Sequence, residues 1–260
     1  MGAVGFHPIF LSYARHYMKN WKDNIYFILV EPKEPGNIGA SARAVKNMGF
    51  KNLCLVNPPV LTDEARWFAC NALDVLDSAQ KYDGIADAVK DKAIVAGTSR
   101  RKGRSRGVFL NVGEGAARLH DIAQKNKIAI LFGREDRGLY NDEVEECGFL
   151  ITIPSSAKQP SLNLSQAVLL TAYELSNAGY KKEGVPKVRW QELADIKETE
   201  ALYRRIAGTL KLLDYIPRGD RNLEDKIIKN FKHFIGRAGM TRWELKMLHG
   251  ICTQIEKKVK

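Results

Sequence analysis

Residues 25–43 read IYFILVEPKEPGNIGASAR, an apolar run that gives way to a segment rich in Gly, Pro and Asn. The run 25–30 does not alternate with polar residues, which is typical of a strand buried on both faces of a sheet. The Gly and Pro residues that follow indicate a turn, and residues 38–48 predict a helix. The stretch therefore predicts a strand, a turn and a helix, the repeating unit of an α/β fold.

The same pattern recurs along the chain as far as about residue 180. Further apolar runs predict strands at 53–56, 93–96, 128–132 and 149–153, and helical patterns follow at 114–125 and 164–177. Runs of this kind are typical of a parallel sheet that helices cover on both faces. The sequence therefore predicts a doubly wound α/β domain.

The pattern changes after Gly179. A polar segment broken by Gly and Pro predicts a linker, and three helical patterns then follow at 191–213, 223–235 and 242–258. We predict that Asn222 caps the second of these helices and that residues 241–244 (TRWE) form a capping box for the third. The predicted organisation is an N-terminal extension at 1–23, a catalytic domain at 24–180, a linker at 181–189 and a small helical domain at 190–260.

The net charge is +11, and most of the excess lies near the C terminus. Residues 1–180 hold 22 Lys and Arg against 19 Asp and Glu, whereas residues 181–260 hold 19 against 11. A basic region of this kind attracts the phosphates of nucleic acid. Charge alone is also compatible with a solvated basic surface that has no partner.

Several classes of function lack their signatures. The four cysteines and five histidines show no zinc or disulfide spacing, so we predict no metal site. The segments after the predicted strands carry neither a P-loop nor a G-x-G-x-x-G fingerprint. Their absence disfavours nucleoside triphosphate hydrolysis and the usual mode of dinucleotide binding. No apolar run approaches the roughly 18 to 20 residues of a spanning helix. We therefore predict a cytoplasmic protein without a membrane partner.

Three segments place Gly, Asn or Arg just past the end of a predicted strand. They read NIGASAR at 37–43, LFGREDRGL at 131–139 and IPSSAKQPSLNLSQA at 153–167. Open α/β sheets bind ligands at this place, beyond the carboxyl ends of the strands. Each segment taken alone also fits an ordinary loop. Helix capping would explain one of Ser161, Asn163 and Ser165, but it does not obviously explain all three.

Taken together and in this order, the three segments closely resemble the signature motifs of the SpoU, or TrmH-like, branch of the SPOUT methyltransferases. Within that branch the chain is most similar to the TrmJ group, which methylates the 2′-hydroxyl of nucleotide 32 in tRNA. The segment AGTSRRKGR at 96–104 and the C-terminal segment at 240–250 carry this closer resemblance. Arg100 stands where the group has a small residue.

The resemblance implies a fold, a cofactor and an assembly. It implies a deep trefoil knot in the α/β domain, a homodimer whose active site borders the interface, and S-adenosylmethionine as the methyl donor. By the same resemblance, six residues at strand ends would form the cofactor pocket through largely neutral backbone groups. They are Thr98, Ser99, Gly133, Ile153, Leu162 and Asn163.

The resemblance also implies a catalytic set around Arg43. A guanidinium group stays protonated in proteins and is a poor base, so we interpret Arg43 as a clamp on the target phosphate and on the developing alkoxide. Asn37, Glu135, Ser161 and Asn163 would orient Arg43 or the ribose. A run of five basic residues would contact the RNA backbone: Arg100, Arg101, Lys102, Arg104 and Arg106.

Other functions stay open at this point. The same chemistry on ribosomal RNA, or at another tRNA position, would leave the same motifs. A non-catalytic RNA-binding protein with this fold is a second class. Five intact residues disfavour it: Asn37, Arg43, Glu135, Ser161 and Asn163. A nucleotide-binding α/β protein unrelated to RNA is a third, which the missing fingerprints and the basic C-terminal region disfavour.

Overall fold

A parallel sheet lies at the centre of the structure, a computed structural model that describes residues 20–100, 107–181, 191–217 and 221–259. Within these residues seven strands are present: β1 (Ile25–Val30), β2 (Asn52–Val56), β3 (Gln80–Tyr82), β4 (Ile94–Thr98), β5 (Phe109–Asn111), β6 (Ile128–Phe132) and β7 (Phe149–Thr152). They pair in the order β3-β2-β1-β6-β4-β7-β5, and each pair of neighbours is parallel. The predicted parallel α/β sheet is thus confirmed.

Helices connect the strands and follow the last of them. Among the described residues they are α1 (Pro35–Asn47), α2 (Asp63–Ala69), α3 (Leu73–Asp77), α4 (Ile85–Val89), α5 (Val112–Ala123), α6 (Asn141–Glu145), α7 (Leu164–Lys181), α8 (Ile196–Leu212), α9 (Arg221–Ala238) and α10 (Arg242–Val259). Short 3-10 helices span Trp21–Asn24 and Cys70–Ala72. None of the described helices is long and apolar enough to cross a membrane.

The first predicted strand shows why its apolar run is continuous. Phe27 and Leu29 contribute to one apolar cluster, whereas Ile28 and Val30 contribute to the cluster on the other face. All four side chains are at most 1% exposed. Because both faces of β1 are covered, each position along the strand favours an apolar side chain.

The turn after β1 leads directly into α1, whose first residue is Pro35. Proline suits this position because the first N–H groups of a helix have no partner within the helix. Gly39 then allows α2 to approach closely, since a Cβ atom there would lie 1.9 Å from the carbonyl oxygen of Ala65. The helix that carries the first motif is therefore fixed between the sheet and α2.

The sequence predicted the five inner strands and missed the two edge strands. β3 and β5 have three residues each and no fully buried position. β3 reads QKY and has no apolar run, whereas the apolar run at β5 spans only residues 108–110 (VFL), which is too short to predict a strand. The short helices α2, α3 and α4 were also not predicted. Helices of five to seven residues are too short to show a reliable helical period.

Three C-terminal helices pack around an apolar cluster of their own that includes Leu202, Ile206 and Ile235. The Thr241 capping box is confirmed, because the Glu244 amide donates to Thr241 Oγ1 at 3.2 Å and the Thr241 amide donates to Glu244 Oε2 at 2.8 Å. The prediction that Asn222 caps α9 is wrong, because α9 begins at Arg221 and Asn222 therefore lies within the helix.

These helices dock against the end of the sheet where the strands begin. The Ile196 amide donates to the carbonyl oxygen of Lys92, just before β4, at 2.9 Å. Lys232 of α9 forms an ion pair with Glu146, just before β7, at 3.1 Å. The carboxyl ends of β4 and β7, where the predicted site lies, are at the opposite end of the sheet.

The segment before β1 packs on the core through aromatic and hydrogen-bonding contacts. Trp21 contacts the rings of Phe50 and His120 edge-on. The Lys22 ammonium donates to the carbonyl oxygen of Met48 at 2.7 Å and to Ser176 Oγ at 2.9 Å. Of the predicted extension at 1–23, residues 1–19 lie outside the described residues, as does most of the predicted linker.

Candidate active site

A cleft opens at the carboxyl ends of β4, β6 and β7. Its volume is about 840 Å³, including the space that is open to solvent. Its walls include apolar side chains such as Phe132, Leu139 and Ile151. Five of the six predicted cofactor residues line it: Thr98, Ser99, Gly133, Ile153 and Leu162. The sixth, Asn163, follows Leu162 in the chain.

Hydrogen bonds between the strand ends fix the floor of the cleft. Thr98 Oγ1 donates to the carbonyl oxygen of Leu131 at 3.0 Å. The Ser99 amide donates to the carbonyl oxygen of Ile151 at 3.0 Å, and Thr152 Oγ1 donates to that of Ser99 at 3.1 Å. These contacts hold the three segments in one arrangement, so the cleft is largely preformed.

The loop after β6 turns tightly at the side of the cleft. Gly138 has a φ of +69°, and its amide donates to the carbonyl oxygen of Arg134 at 2.8 Å. A Cβ atom on Gly133 would lie only 2.1 Å from the carbonyl carbon of Gly138. A larger residue at 133 would therefore force the loop open, which explains the glycine at the end of this strand.

A chain of side-chain hydrogen bonds joins the three sequence motifs. The side-chain Nδ2 of Asn37 donates to Glu135 Oε1 at 2.9 Å, and the side-chain Nδ2 of Asn163 donates to Asn37 Oδ1 at 2.8 Å. Asn163 Oδ1 in turn accepts from the amide and the hydroxyl of Ser165 at 2.8 and 2.7 Å. Asn163 thus both caps α7 and orients Asn37, while Ser161 lines the cleft.

Glu135 also binds the loop between β1 and α1. Its carboxylate accepts from the backbone amides of Lys33 at 3.0 Å and Glu34 at 3.4 Å. Beside it, Lys33 Nζ and Asp136 Oδ2 form an ion pair at 2.6 Å. The Glu135 carboxylate therefore binds the backbone just before the first motif as well as the side-chain amide of Asn37.

Arg43 stands apart from this chain of hydrogen bonds. It lies six residues after Asn37 on α1, and its exposed guanidinium donates to Cys70 Sγ at 3.4 Å. Among the hydrogen bonds of the described residues, none joins Arg43 to Glu135 or Asn163. Of the predicted RNA-binding run, Arg100 lines the cleft. The other four lie outside the described residues: Arg101, Lys102, Arg104 and Arg106.

Sequence reasoning missed Arg134, which is 4% exposed beside the cleft. Its guanidinium forms a two-pronged ion pair with Glu143, both contacts at 2.9 Å, and its Nε donates to Glu31 Oε2 at 2.8 Å. Burial opposes the charged form, yet the hydrogen bonds to Glu143 and Glu31 raise the pKa of Arg134 above its ordinary value. Its position between Gly133 and Glu135 in the second motif was the one signal in the sequence.

Comparisons with known proteins identify the family. The model of the SpoU rRNA Methylase family matches residues 24–173. The chain is 33% identical over 247 residues to the tRNA (cytidine/uridine/adenosine-2′-O-)-methyltransferase TrmJ of Pseudomonas aeruginosa, covering 90% of this chain and 95% of that protein. It is 32% identical over 238 residues to the tRNA (cytidine/uridine-2′-O-)-methyltransferase TrmJ of Pectobacterium atrosepticum, covering 90% and 98%. The crystal structure of TrmJ from Z. mobilis ZM4 superposes with a TM-score of 0.73 at 30% identity, covering 89% and 98%.

Proposed function

Because the chain belongs to the SpoU rRNA methylase family, we propose that it transfers a methyl group from S-adenosylmethionine to a ribose 2′-hydroxyl of tRNA. The observation that carries the proposal is the chain of hydrogen bonds from Glu135 through Asn37 to Asn163, at the mouth of a cleft suited to the donor. Both TrmJ relatives are named for cytidine and uridine 2′-O-methylation of tRNA, and the Pseudomonas aeruginosa relative is named for adenosine as well. By the same resemblance, nucleotide 32 of cytoplasmic tRNA is the proposed target.

The residues of the cleft fit the methyl donor. S-adenosylmethionine supplies an electrophilic methyl group on a sulfonium centre, and its adenosyl part needs apolar walls with a few polar groups. Phe132, Leu139 and Ile153 offer such walls, while Thr98 and Ser99 bring a hydroxyl and backbone groups. Among the described residues, no group of three or more His, Cys, Asp or Glu could hold a metal ion. The proposed reaction needs none.

On the ribose side, the protein's task is to position a hydroxyl group and to stabilise the charge that develops on it. Bringing two reactants together in the right geometry is worth roughly 7 to 11 kcal/mol in favourable cases. Asn37 and Asn163 are already oriented by their mutual hydrogen bond and by Glu135. We propose that Arg43 clamps the target phosphate, because its exposed guanidinium is available for a two-pronged contact.

The surface charge supports an RNA substrate. Residues 181–260 hold 19 basic against 11 acidic side chains, and the described helices α8, α9 and α10 carry much of this excess. We propose that they form a helical domain that binds the body of the RNA while the cleft receives the target nucleotide. The basic run at 100–106 would contact the backbone near that nucleotide.

We also propose that the protein is a knotted homodimer. Residues 160–162, which follow β7, line the same cleft as residues 98–100, and this shared wall supports the knot that the family resemblance implies. An apolar surface on α2 and α7, two helices that pack on α1, supports the dimer. Its members are Trp67, Phe68, Leu169, Leu170 and Tyr173, which are 38–74% exposed. We call them the α2–α7 patch.

Mass spectrometry of ribose-methylated nucleosides tests the substrate. RNA would be prepared from cells with and without the protein, and tRNA and ribosomal RNA would be digested separately. We expect one 2′-O-methylated cytidine or uridine to disappear from the tRNA fraction in cells that lack the protein. A loss confined to ribosomal RNA would favour the alternative substrate, and no loss in either fraction would contradict the proposed function.

A further inference from the structure

Glu31 adopts a backbone conformation that glutamate disfavours. It is the first residue after β1, and its φ is +46°. Asn57, the first residue after β2, has nearly the same φ of +45°. Their backbone amides also make the same kind of hydrogen bond to the neighbouring strand. The Glu31 amide donates to the carbonyl oxygen of Val56, and the Asn57 amide donates to that of Tyr82. Positive φ is easier for Asn than for Glu, so the backbone alone would favour Asn at position 31 as well.

The side chain of Glu31 offers a reason for its presence. Its Oε2 accepts from Arg134 Nε at 2.8 Å, and this hydrogen bond lowers the pKa of Glu31. The carboxyl group is 44% exposed, whereas Arg134 is 4% exposed. Strained conformations persist where the surrounding structure or the function requires them. The Asn57 side chain also bonds the Glu31 carboxylate, but it contributes less to the lowered pKa than Arg134 does. The contact with Arg134 is therefore the main feature of Glu31 that an easier residue would lose.

The two contacts of Arg134 have different energetic weight. Its two-pronged pair with Glu143 is buried on both sides, and removing either partner would leave a buried charge. Its bond to the half-exposed Glu31 contributes much less to stability, because exposed ion pairs are screened by water. Glu143 thus holds the loop after β6 in its fold, and Glu31 connects that loop to the end of β1.

The connection matters because the same two loops carry the site. Arg134 lies between Gly133, which lines the cleft, and Glu135. Glu135 binds Asn37 of the first motif and the backbone of Lys33 and Glu34 just before it. The loops are therefore joined twice, from Glu31 to Arg134 and from Glu135 back to the first motif. With both connections in place, the cleft and the Asn37 amide have one fixed relative position.

We propose that Glu31 is a positioning residue for methyl transfer: through Arg134 it aligns the cofactor cleft with the side chains that hold the ribose. The proposal rests on the proposed function, and it concerns a residue that acts through another. Misplacement of reacting groups by about 1 Å can cost about 100-fold in rate. Loss of the Glu31 contact should therefore reduce the rate of the chemical step and leave binding of either substrate largely intact.

Replacing Glu31 with Asn separates this role from a structural one. Glu31→Asn in the full-length protein introduces a residue that tolerates positive φ, which should offset part of the cost of leaving Arg134 Nε without this acceptor. The midpoint of thermal unfolding should therefore fall only slightly. The single-turnover rate of tRNA methylation should fall about 10- to 100-fold, while the Kd for S-adenosylmethionine and the KM for tRNA change little. Glu31→Gln, which keeps an acceptor for Arg134 Nε, should restore part of the rate.

A matched control removes an exposed ion pair elsewhere. Asp87 pairs with Lys90 at 3.3 Å on the surface, and Asp87→Asn should leave both rate and stability unchanged. A Glu31→Asn protein that methylates at the wild-type rate would overturn the proposal, as would a rate that falls only in step with stability. If wild-type protein failed to methylate tRNA, the proposed function itself would fail. If wild-type protein methylated tRNA and Glu31→Asn did so equally fast, only the proposal about Glu31 would fail, so the two failures are distinguishable.

Discussion

Gly148 and Gly236 touch backbone to backbone. A Cβ atom on Gly148 would lie 1.9 Å from the carbonyl oxygen of Gly236, and one on Gly236 would lie 2.7 Å from Gly148 Cα. Gly148 precedes β7, and Gly236 belongs to α9. This contact brings the C-terminal helices directly against the end of the sheet, and the ion pair between Lys232 and Glu146 lies next to it.

The contact predicts a stability effect with a built-in control. Gly148→Ala should lower the free energy of unfolding by about 1–3 kcal/mol, because the added methyl group cannot fit without moving α9. Gly208→Ala, inside α8 with nothing near its Cβ position, should instead raise it by about 0.5–1 kcal/mol. Denaturant unfolding of both variants measures the difference. Equal stability of the two variants would show that the sheet and α9 do not meet at these glycines.

The role of Arg43 is tested by two substitutions. If Arg43 acts as a clamp, Arg43→Ala should lower the single-turnover rate roughly 10²- to 10³-fold, with S-adenosylmethionine binding intact. Arg43→Lys keeps the charge but loses the planar fork, so it should retain part of the activity. Rates measured from about pH 6 to 10 should give parallel profiles for wild type and both variants. A displaced limb in the lysine variant would indicate a base, and an alanine variant as fast as wild type would exclude both roles.

The basic C-terminal helices should carry part of the RNA affinity. Lys246, Lys257 and Lys258 of α10 are exposed, and changing all three to Gln should weaken tRNA binding. The salt dependence should flatten by roughly one unit of log–log slope for each phosphate contact that is lost. The matched control changes exposed lysines of the α/β domain, Lys81, Lys90 and Lys125, and should bind as wild type does. Identical salt slopes for the two triple variants would refute this role of α10.

The α2–α7 patch predicts the oligomeric state. Wild-type protein should sediment as a dimer at micromolar concentration, and Leu170→Asp should produce a monomer, since it places a charge in an apolar interface. Met247→Asp is the control, because Met247 is 41% exposed on a different helix, α10. A wild-type monomer would remove the proposed dimer, and a dimer that survives Leu170→Asp would place the interface elsewhere.

Some features of the fold follow from the sequence, and others require the assembled chain. The unbroken apolar run 25–30 predicted a strand covered on both faces, because each of its residues must be buried. β3 and β5 were missed for the opposite reason. They lie at the edges of the sheet, where the side chains are exposed or only partly buried and need not all be apolar. The order of the strands is a property of long-range pairing, which local patterns do not encode.

The site divides in the same way. The resemblance to the SpoU branch predicted that Gly133, Ile153 and Leu162 would line one pocket, and their places after strands fit this because the carboxyl ends of parallel strands share one edge. Arg134 escaped prediction because a charged residue in a loop is usually solvated. Its burial depends on its ion pairs with Glu143, which follows it by 9 residues in the chain, and with Glu31, which precedes it by 103 residues. Only the folded path of both loops reveals that arrangement.

The central claim is methyl transfer to a ribose hydroxyl of tRNA, and one measurement tests it most directly. Purified protein is incubated with tRNA and S-adenosylmethionine labelled in the methyl group, and the labelled tRNA is hydrolysed with alkali. A methylated 2′-hydroxyl protects the adjoining phosphodiester bond, so we predict that the label appears in an alkali-resistant dinucleotide that begins with cytidine or uridine. Label in single nucleotides, which would indicate methylation of a base, or no incorporation into tRNA at all, would contradict the account.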